Sequence, residues 1–347
     1  MPLFSDAMRP VENPPNPFVR EHREWLGPPP AAKLEVYEEH ARSILSHNES
    51  PDIPYRWSLN PYRGCQHGCA YCYARPTHEY LGLGAGTDFE SKITVKVNAA
   101  ELLARAFARR GWHKEMVAFS GVTDCYQPLE AVYRLTRRCL QVCLDFGNPV
   151  GVVTKSYLVA RDADVLAALA DRASVRVWFS ISTVNDELVR GLEPGSPPPT
   201  RRFQAMRRLH EAGVPVAVLV SPVIPGLTDR DIPRVLEQAV ACGASDASLT
   251  PLRLPGNVKE VFLSRLRRAR PASAKRVEHL IRGMRGGELD DSRFGYRMTG
   301  GGAYWEGVLQ LFEKTAARLG LSGDQCACKS RLESDRNHTR QLPLFGG

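Results

Sequence analysis

The chain has 347 residues, of which 43% are apolar and 24% are charged, and its formal net charge is +8 at pH 7. These values are ordinary for folded globular proteins, and the length suits one large α/β barrel domain or two smaller domains. No apolar run approaches the roughly 20 residues that a membrane span needs. Residues 1–30 are rich in proline and charge and lack the apolar stretch of a secretory signal, so we expect a cytoplasmic protein without a membrane span.

Prolines interrupt residues 1–50, which we expect to form an extended or partly helical arm. Apolar, β-branched segments then alternate with amphipathic ones. The predicted strands are 55–59, 116–119, 150–154, 175–181, 214–220 and 247–250, and the predicted helices between them are 129–146, 162–172, 200–212 and 229–242. About six β/α units predict an α/β fold with a parallel sheet, closed as a partial (β/α)6 TIM-type barrel or as a full barrel.

Beyond Pro255 the pattern becomes helical, with predicted helices at 258–285 and 304–319. We therefore divide the chain into an N-terminal arm (1–50), a core barrel (51–255), a C-terminal helical extension (256–322) and a loose polar tail (323–347). Because parallel barrels carry their chemistry on the loops that follow the strands, we expect the functional residues at these strand ends.

Three of the nine cysteines lie in one short loop after the first predicted strand: Cys65, Cys69 and Cys72. Gly64 and Gly68 allow this loop to fold around a bulky inorganic group. Three thiolates on a four-iron cluster leave one iron open, whereas a structural zinc site would need His67 or a distant cysteine as a fourth ligand. We favour the open iron–sulfur cluster over zinc and over three merely buried thiols.

This C-x3-C-x-aromatic-C pattern resembles the signature of the radical S-adenosylmethionine (SAM) superfamily, and Tyr71 and Tyr73 make it similar to the spore photoproduct lyase branch. The resemblance implies a [4Fe–4S] cluster on the three cysteines and SAM bound at the open iron. It also implies reductive cleavage of SAM to a 5′-deoxyadenosyl radical, fed by an electron donor such as flavodoxin or ferredoxin. Both tyrosines become candidate catalytic residues.

The resemblance extends to the later strand ends, where it assigns side chains to SAM. Asp124 would contact the amino group of SAM, although the turn 120–124 alone would suggest that Asp124 is an ordinary helix cap. A guanidinium suits a carboxylate because it makes two parallel hydrogen bonds, but the sequence does not distinguish Arg201 from Arg202. The predicted SAM-binding residues are Tyr71, Gly121, Thr123, Asp124, Lys155, Ser182, Glu193, Arg201, Arg202 and Leu252.

One position departs from the lyase pattern. In the lyase a cysteine near the second strand end returns a hydrogen atom to the product radical, whereas this chain has Val122 there and a thiol at Cys125. Cys125 is therefore a candidate hydrogen-atom donor, and a loop cysteine without redox use is the alternative. The departure puts the direct-reversal chemistry of the lyase in doubt.

The remaining cysteines divide into two groups. Cys139, Cys143 and Cys242 lie on predicted helices, and we expect them to pack in the core. Cys326 and Cys328 form a C-x-C pair in the polar tail, and two ligands cannot close a metal site without thiols from elsewhere.

Two further features point towards DNA. Residues 253–285 contain ten Lys and Arg against two acids, which suggests a surface that attracts phosphates or, alternatively, a helix face held by ion pairs. Residues 341–345 read Gln-Leu-Pro-Leu-Phe, from Gln341 to Phe345, and resemble the peptide that binds the bacterial sliding clamp. A tail that packs back onto the barrel is the alternative.

The sequence thus leads to the hypothesis of a radical SAM enzyme that acts on a nucleic-acid base, with DNA favoured and a role in repair or modification. An RNA-modifying enzyme or an activator of a glycyl-radical partner protein is the rival within the same chemistry. A clamp-associated DNA-binding protein with a structural or redox-sensing cluster is the rival of another class.

Overall fold

A computed structural model of the chain describes residues 9–20 and 27–323. The strands are β1 (Glu35–Glu39), β2 (Leu45–His47), β3 (Trp57–Leu59), β4 (Tyr62–Arg63), β5 (Lys92–Lys96), β6 (Val117–Phe119), β7 (Val150–Thr154), β8 (Val175–Ser180), β9 (Val216–Val223), β10 (Asp246–Pro251) and β11 (Ser322–Gly323). The helices are α1 (Pro76–Glu79), α2 (Asp88–Ser91), α3 (Ala99–Phe107), α4 (Glu130–Tyr133), α5 (Leu135–Phe146), α6 (Ala163–Arg172), α7 (Asp186–Leu192), α8 (Pro199–Glu211), α9 (Ile232–Ala241), α10 (Val258–Ala269), α11 (Pro271–Met284) and α12 (Gly302–Arg318).

The main sheet has eight strands in the order β11-β10-β9-β8-β7-β6-β3-β2. From β3 to β11 every neighbouring pair is parallel, and β2 runs antiparallel to β3 at one end. In the part of the chain that is described, the two end strands do not pair with each other, so the sheet stays open. The predicted α/β fold with a partial parallel barrel is confirmed.

The sheet register brings the apolar strand residues into layers. Val152 of β7 lies opposite Phe119 of β6 and Val177 of β8, and all three are fully buried. Helices α5, α6, α8 and α9 add buried apolar residues to the same core. Parallel strands in register place all their carboxyl ends at one edge, and that edge receives the loops that carry the predicted site.

Some elements were not predicted. β1 pairs with β5 in a second, three-stranded sheet that β4 completes, and the predictions assigned no strand to these segments. β1 reads Glu-Val-Tyr-Glu-Glu and is largely exposed, so it lacks the apolar pattern of a core strand.

Two predicted helices are each divided into two. Arg134, with a left-handed φ of 53°, separates α4 from α5. Pro271 begins α11 after α10 has ended, because proline lacks the amide that a continuous helix needs but suits a first turn. None of the helices within residues 9–20 and 27–323 is both long and apolar enough to cross a membrane.

Candidate active site

The cysteine loop follows β3 and β4 at the carboxyl edge of the sheet. Gly64 and Gly68 both have left-handed φ values, of 79° and 61°, that favour glycine. A Cβ on Gly64 would lie 2.9 Å from the backbone oxygen of Phe89, and the amide of Cys65 donates to that same oxygen at 2.9 Å. The loop therefore depends on glycine both for its turn and for its close packing.

Two of the three thiols of this loop are shielded from water, and none of the three forms a disulfide. Cys65 and Cys69 are buried and Cys72 is half-buried. Burial raises the pKa of each thiol, to about 12 for Cys69. A buried thiolate is stable only beside a compensating positive charge, so the loop is suited to binding a group that supplies one.

The donor set fits a multi-iron cluster better than a single metal ion. Among the described residues, no group of three or more His, Cys, Asp or Glu side chains is arranged to hold one ion. His67, the nearest candidate for a zinc ligand, is buried and directs Nδ1 towards Asp124 Oδ2 at 3.2 Å. Three thiols spread along one loop remain, which is the ligand chemistry of an iron–sulfur cluster.

Asp124 connects three parts of the site. It accepts hydrogen bonds from the hydroxyl of Thr154 at 2.7 Å and from the amide of Lys155 at 2.8 Å, both at the end of β7, and it pairs with His67. Burial alone would raise its pKa, but His67 and these donors hold the pKa of Asp124 below its ordinary value. Asp124 is thus a charged link between β6, β7 and the cysteine loop.

Gly121 and Thr123, from the same turn, also contact the cysteine loop. Tyr73 donates its hydroxyl to the carbonyl of Gly121 at 2.8 Å, and Thr123 donates to the carbonyl of Gly64 at 2.6 Å. The amide of Gly121 donates to Asn60 Oδ1 at 2.8 Å. Asn60, which precedes the cysteine loop, was not predicted.

Glu193 is the centre of a buried polar group. Tyr71 and Arg202 both donate to its carboxylate, and Ser182 Oγ lies 3.4 Å from Oε1. Burial would raise the pKa of Glu193, but the positive charges of Arg202 and Lys155 and the donated hydrogen bonds lower it to about 2. Glu193 is therefore a carboxylate throughout the physiological range.

The structure separates the two arginines that the sequence left equivalent. Arg202 is fully buried and also donates to the carbonyls of Ser180 at 3.0 Å and Pro197 at 2.9 Å. Arg201 is exposed, and its guanidinium stacks on Tyr157 at 4.4 Å. Only Arg202 lies in the group around Glu193.

Lys155 lies between these two groups. Its Nζ is 2.5 Å from the hydroxyl of Ser180 and 5.7 Å from the centre of the Tyr71 ring. Within residues 9–20 and 27–323 its ammonium group forms no direct ion pair, although its charge acts on Glu193. The charge of Lys155 is thus available to an anionic ligand.

The loop that follows α7 packs directly on the cysteine loop, a contact that was not predicted. Gly195 donates its amide to the carbonyl of His67 at 3.0 Å, and a Cβ on Gly195 would lie 2.0 Å from the carbonyl oxygen of Gln66. Ser196 Oγ is 3.8 Å from Cys69 Sγ. In the sequence, the Gly-Ser pair directly after Glu193-Pro194 was the feature that could have indicated this contact between the two loops.

Arg75 supports the backbone of the cysteine loop and was not predicted as a site residue. It is fully buried and donates to the carbonyls of Cys69 at 2.6 Å and Gly68 at 3.1 Å, and it pairs with Glu90. Arg265 of α10 also donates to the carbonyl of Gly68, at 2.6 Å, and to Glu90. An arginine three residues after Cys72 was the only sequence signal for this support.

The remaining predicted site residues lie in apolar surroundings. Leu252 is buried in a cluster that also contains Cys69 and Tyr71. Cys125 is fully buried in the main core, outside the clusters that contain the three cysteines, so its role as a hydrogen-atom donor stays a prediction. Cys139, Cys143 and Cys242 are buried in that core, as predicted.

Much of the basic stretch 253–285 forms ion pairs within the protein. The pairs are Arg265–Glu90, Arg267–Glu278, Arg268–Glu12, Arg270–Glu187 and Arg282–Glu278. This pairing favours the ion-paired interpretation over a continuous phosphate-binding surface. Cys326, Cys328 and the segment from Gln341 to Phe345 lie outside the described residues, so both tail predictions stay open.

Relatives of known sequence align with more than half of this chain. Uncharacterized proteins of Mycobacterium tuberculosis and Methanocaldococcus jannaschii are 37% and 31% identical over 66% and 57% of this chain, and the alignments cover 68% and 71% of those proteins. A protein of Pseudomonas phage M6 named radical SAM Nalpha-GlyT isomerase is 25% identical over 82% of this chain and 60% of its own length.

Solved structures and a family model agree with the fold. Spore photoproduct lyase complexed with dinucleoside spore photoproduct superposes with a TM-score of 0.59 at 17% identity, covering 84% of this chain and 81% of the lyase. At that identity the likeness establishes the fold alone. The model of the radical SAM superfamily matches residues 59–239, which include the cysteine loop, Lys155 and Glu193. The chain is therefore a radical SAM enzyme and belongs to the radical SAM superfamily.

Proposed function

We propose that this enzyme cleaves SAM reductively at a [4Fe–4S] cluster and uses the radical on a nucleic-acid base. The observation that carries the proposal is the convergence of three thiols of one loop, Cys65, Cys69 and Cys72, with the group around Glu193 at one edge of the sheet. Family membership implies SAM and an iron–sulfur cluster, and the [4Fe–4S] type and the substrate are our inference.

The three cysteines would hold the cluster. When bound, the cluster and SAM supply the electron and the cleavable sulfonium from which a 5′-deoxyadenosyl radical forms. The protein provides the thiolates, which lose their protons when the metal binds, and it excludes water from two of them. Arg75 fixes the backbone of the loop through the carbonyls of Gly68 and Cys69.

We assign the SAM carboxylate to Lys155, because its ammonium forms no direct ion pair among the described residues and lies near the Tyr71 ring and the hydroxyl of Ser180. Tyr71 is held by its hydrogen bond to Glu193 and thereby orients its ring towards Lys155. Arg202 acts as a positioning residue, because its described hydrogen bonds go to Glu193 and to backbone carbonyls and its side chain is fully buried.

Two similar proteins support a nucleic-acid base as the substrate. The phage relative is named a Nalpha-GlyT isomerase, and the lyase of the same fold has been solved with a dinucleoside spore photoproduct. We propose DNA as the substrate polymer and a soluble donor such as flavodoxin or ferredoxin as the source of the electron. A cytoplasmic location and the division into arm, core, helical extension and tail are part of the same proposal.

Isotope transfer tests the substrate. The reconstituted enzyme would be supplied anaerobically with dithionite, SAM and deuterated DNA or deuterated RNA, and label would be sought in 5′-deoxyadenosine. We expect label from DNA in the wild type and none in Cys69→Ala. Transfer from RNA alone would favour the RNA-modifying rival, and transfer from neither polymer would contradict a nucleic-acid substrate.

A further inference from the structure

We propose that residues 293–297, here called the aromatic segment, bind an unpaired nucleic-acid base by stacking, on the side of the molecule that carries the cysteine loop. The segment reads Arg-Phe-Gly-Tyr-Arg and lies outside the region matched by the family model. The inference rests on the proposed function, because it names the surface that would hold the nucleic acid near the radical.

Two aromatic rings of this segment face water. Phe294 is 59% exposed and Tyr296 is 60% exposed, although aromatic side chains of this size are normally covered. The guanidinium of Arg297 lies 4.5 Å from the centre of the Phe294 ring, and that of Arg293 lies 4.5 Å from the centre of the Tyr296 ring. Arg293 also pairs with Asp291 and Arg297 with Asp52, which hold the guanidinium groups beside the rings. Exposed rings flanked by guanidinium groups are the chemistry that stacks bases.

The backbone of the segment is fixed. Asp52 accepts hydrogen bonds from the amide of Gly295 at 2.7 Å and from Arg297 Nε at 2.5 Å. Arg285 Nη1 donates to the carbonyl of Tyr296 at 2.9 Å. Because these bonds hold the backbone on both sides of the rings, binding a base does not require the segment to become ordered first.

The segment is attached to the edge of the sheet that carries the site. Arg285 also donates to the carbonyl of Leu252 at 3.1 Å, directly after β10, and Leu252 packs in the same apolar cluster as Cys69 and Tyr71. Asp290, just before the segment, accepts from the amide of Leu254 at 3.1 Å. These contacts bring the aromatic segment and the cysteine loop to one side of the molecule.

Arg253 supplies an anion-binding group between them. Its Nη1 lies 3.1 Å from the sulfur of Met298, and its Nε is buried without a hydrogen-bond partner among the described residues. Its positive charge acts on Tyr73, which is 52% exposed and lies next to Cys72. A buried donor without a partner is unfavourable, and the charge of the same guanidinium group would attract a phosphate of a bound nucleotide.

Binding of a labelled single-stranded oligonucleotide, followed by fluorescence anisotropy, tests the segment. The holoenzyme would be compared with Phe294→Leu and Tyr296→Leu, and with Tyr80→Leu, which removes a 70% exposed ring elsewhere. We expect each variant of the segment to lose about 5- to 150-fold in affinity for DNA, since stacking on one ring contributes that much. Tyr80→Leu should change the affinity by about twofold or less.

Conservative variants separate stacking from a structural role. Phe294→Tyr and Tyr296→Phe keep a ring and should bind like the wild type, and RNA is measured in a parallel arm. Equal affinity in all variants, or a loss that the ring-keeping variants share, overturns the inference, while deuterium transfer from nucleic acid would still support the proposed function. If the wild type binds neither DNA nor RNA, both the segment and the nucleic-acid substrate are wrong, and SAM cleavage remains separately measurable.

Discussion

At the scale of residues, the site depends on one buried carboxylate that stays charged. Glu193 is almost without contact with water, which disfavours its charge, and Arg202 supplies the opposite charge from within hydrogen-bond distance. The hydroxyl of Tyr71 completes the group, and the Tyr71 ring is thereby held near Lys155. Removing one partner of such a pair leaves an uncompensated buried charge.

The two adjacent arginines provide a matched comparison. We expect Arg202→Met to lower the free energy of unfolding by about 3 to 5 kcal/mol, because Glu193 would remain charged and buried without its partner. Arg201→Met should change it by about 1 kcal/mol or less, since it removes an exposed stacking contact with Tyr157 and an exposed hydrogen bond to Gln204. Urea denaturation at neutral pH measures both, and equal losses would contradict the assignment of Arg202 to the Glu193 group.

Stability should also depend on pH through Glu193. Its pKa is about 2 in the folded protein against an ordinary value of 4.5, so its contribution is present above pH 4.5 and is lost as the pH falls towards 2. Glu193→Gln removes the charge at every pH, so its deficit relative to the wild type should shrink on acidification. Denaturation midpoints measured from pH 7 down to pH 3 test this, and a constant deficit would contradict it.

Residue types and spacing predicted the three cysteines, and the resemblance to the radical SAM superfamily assigned the polar side chains at the strand ends. The spacing and the resemblance share one limit. They did not distinguish Arg201 from Arg202, because that choice depends on the rotation of α8 against the sheet. Arg75 and Ser196 were missed for a similar reason, since their importance comes from carbonyls and a thiol that the fold brings to them. Asp124 was predicted as a SAM contact, but whether its bonds to His67 and Thr154 leave it free for that contact stays untested.

At the scale of elements, the site is built where two loops meet. The loop after α7 lies so close to the cysteine loop that the Cα of Gly195 has no room for a side chain. The amide of Ala70 donates to the carbonyl of Leu192 at 2.7 Å, which ties the loops together a second time. The position of Glu193 therefore depends on the position of the thiols.

Substitution of Gly195 should disturb both loops together. We expect Gly195→Ala to lower the amount of iron bound per chain and the rate of SAM cleavage, because the new methyl group would lie 2.0 Å from the carbonyl oxygen of Gln66. Gly307→Ala is the control, since nothing lies within 4 Å of a Cβ there, and it should stabilise α12 by about 0.5 to 1 kcal/mol. Normal iron content in Gly195→Ala would show that the loops are not coupled.

Elements were predicted well where burial imposes a pattern. The third predicted strand matches β7 residue for residue, because both faces of a parallel strand are covered and its residues are β-branched and apolar. β1 and β5 were missed, since their polar residues lie in a small sheet that is partly exposed. Helix breaks such as the one at Arg134 depend on local packing, which the periodicity of apolar residues does not indicate.

At the scale of the whole molecule, the open sheet, the helical extension and the aromatic segment surround one edge. The helical extension supports the cysteine loop through Arg265, which reaches the carbonyl of Gly68 and the carboxylate of Glu90. The same extension leads to the segment that we propose binds a base. The proposed base-binding segment and the proposed cluster site would thus share one face of the molecule.

The sliding-clamp prediction belongs to this scale. Removal of residues 341–347 should abolish binding to purified bacterial sliding clamp, because Gln341, Leu344 and Phe345 would supply the polar and apolar anchors of the peptide. SAM cleavage should be unchanged, since these residues were predicted as a separate binding peptide. Surface plasmon resonance on immobilised clamp measures the affinity, and an unaltered affinity after truncation would reject the prediction.

The most direct test of the central claim is the formation of 5′-deoxyadenosine by the anaerobically reconstituted enzyme with dithionite and SAM. We predict that the wild type forms it, that Cys69→Ala forms none above background, and that Cys242→Ala, which alters a core thiol remote from the three cysteines, forms it at the wild-type rate. Equal product from the wild type and Cys69→Ala, or none from the wild type, would contradict the account.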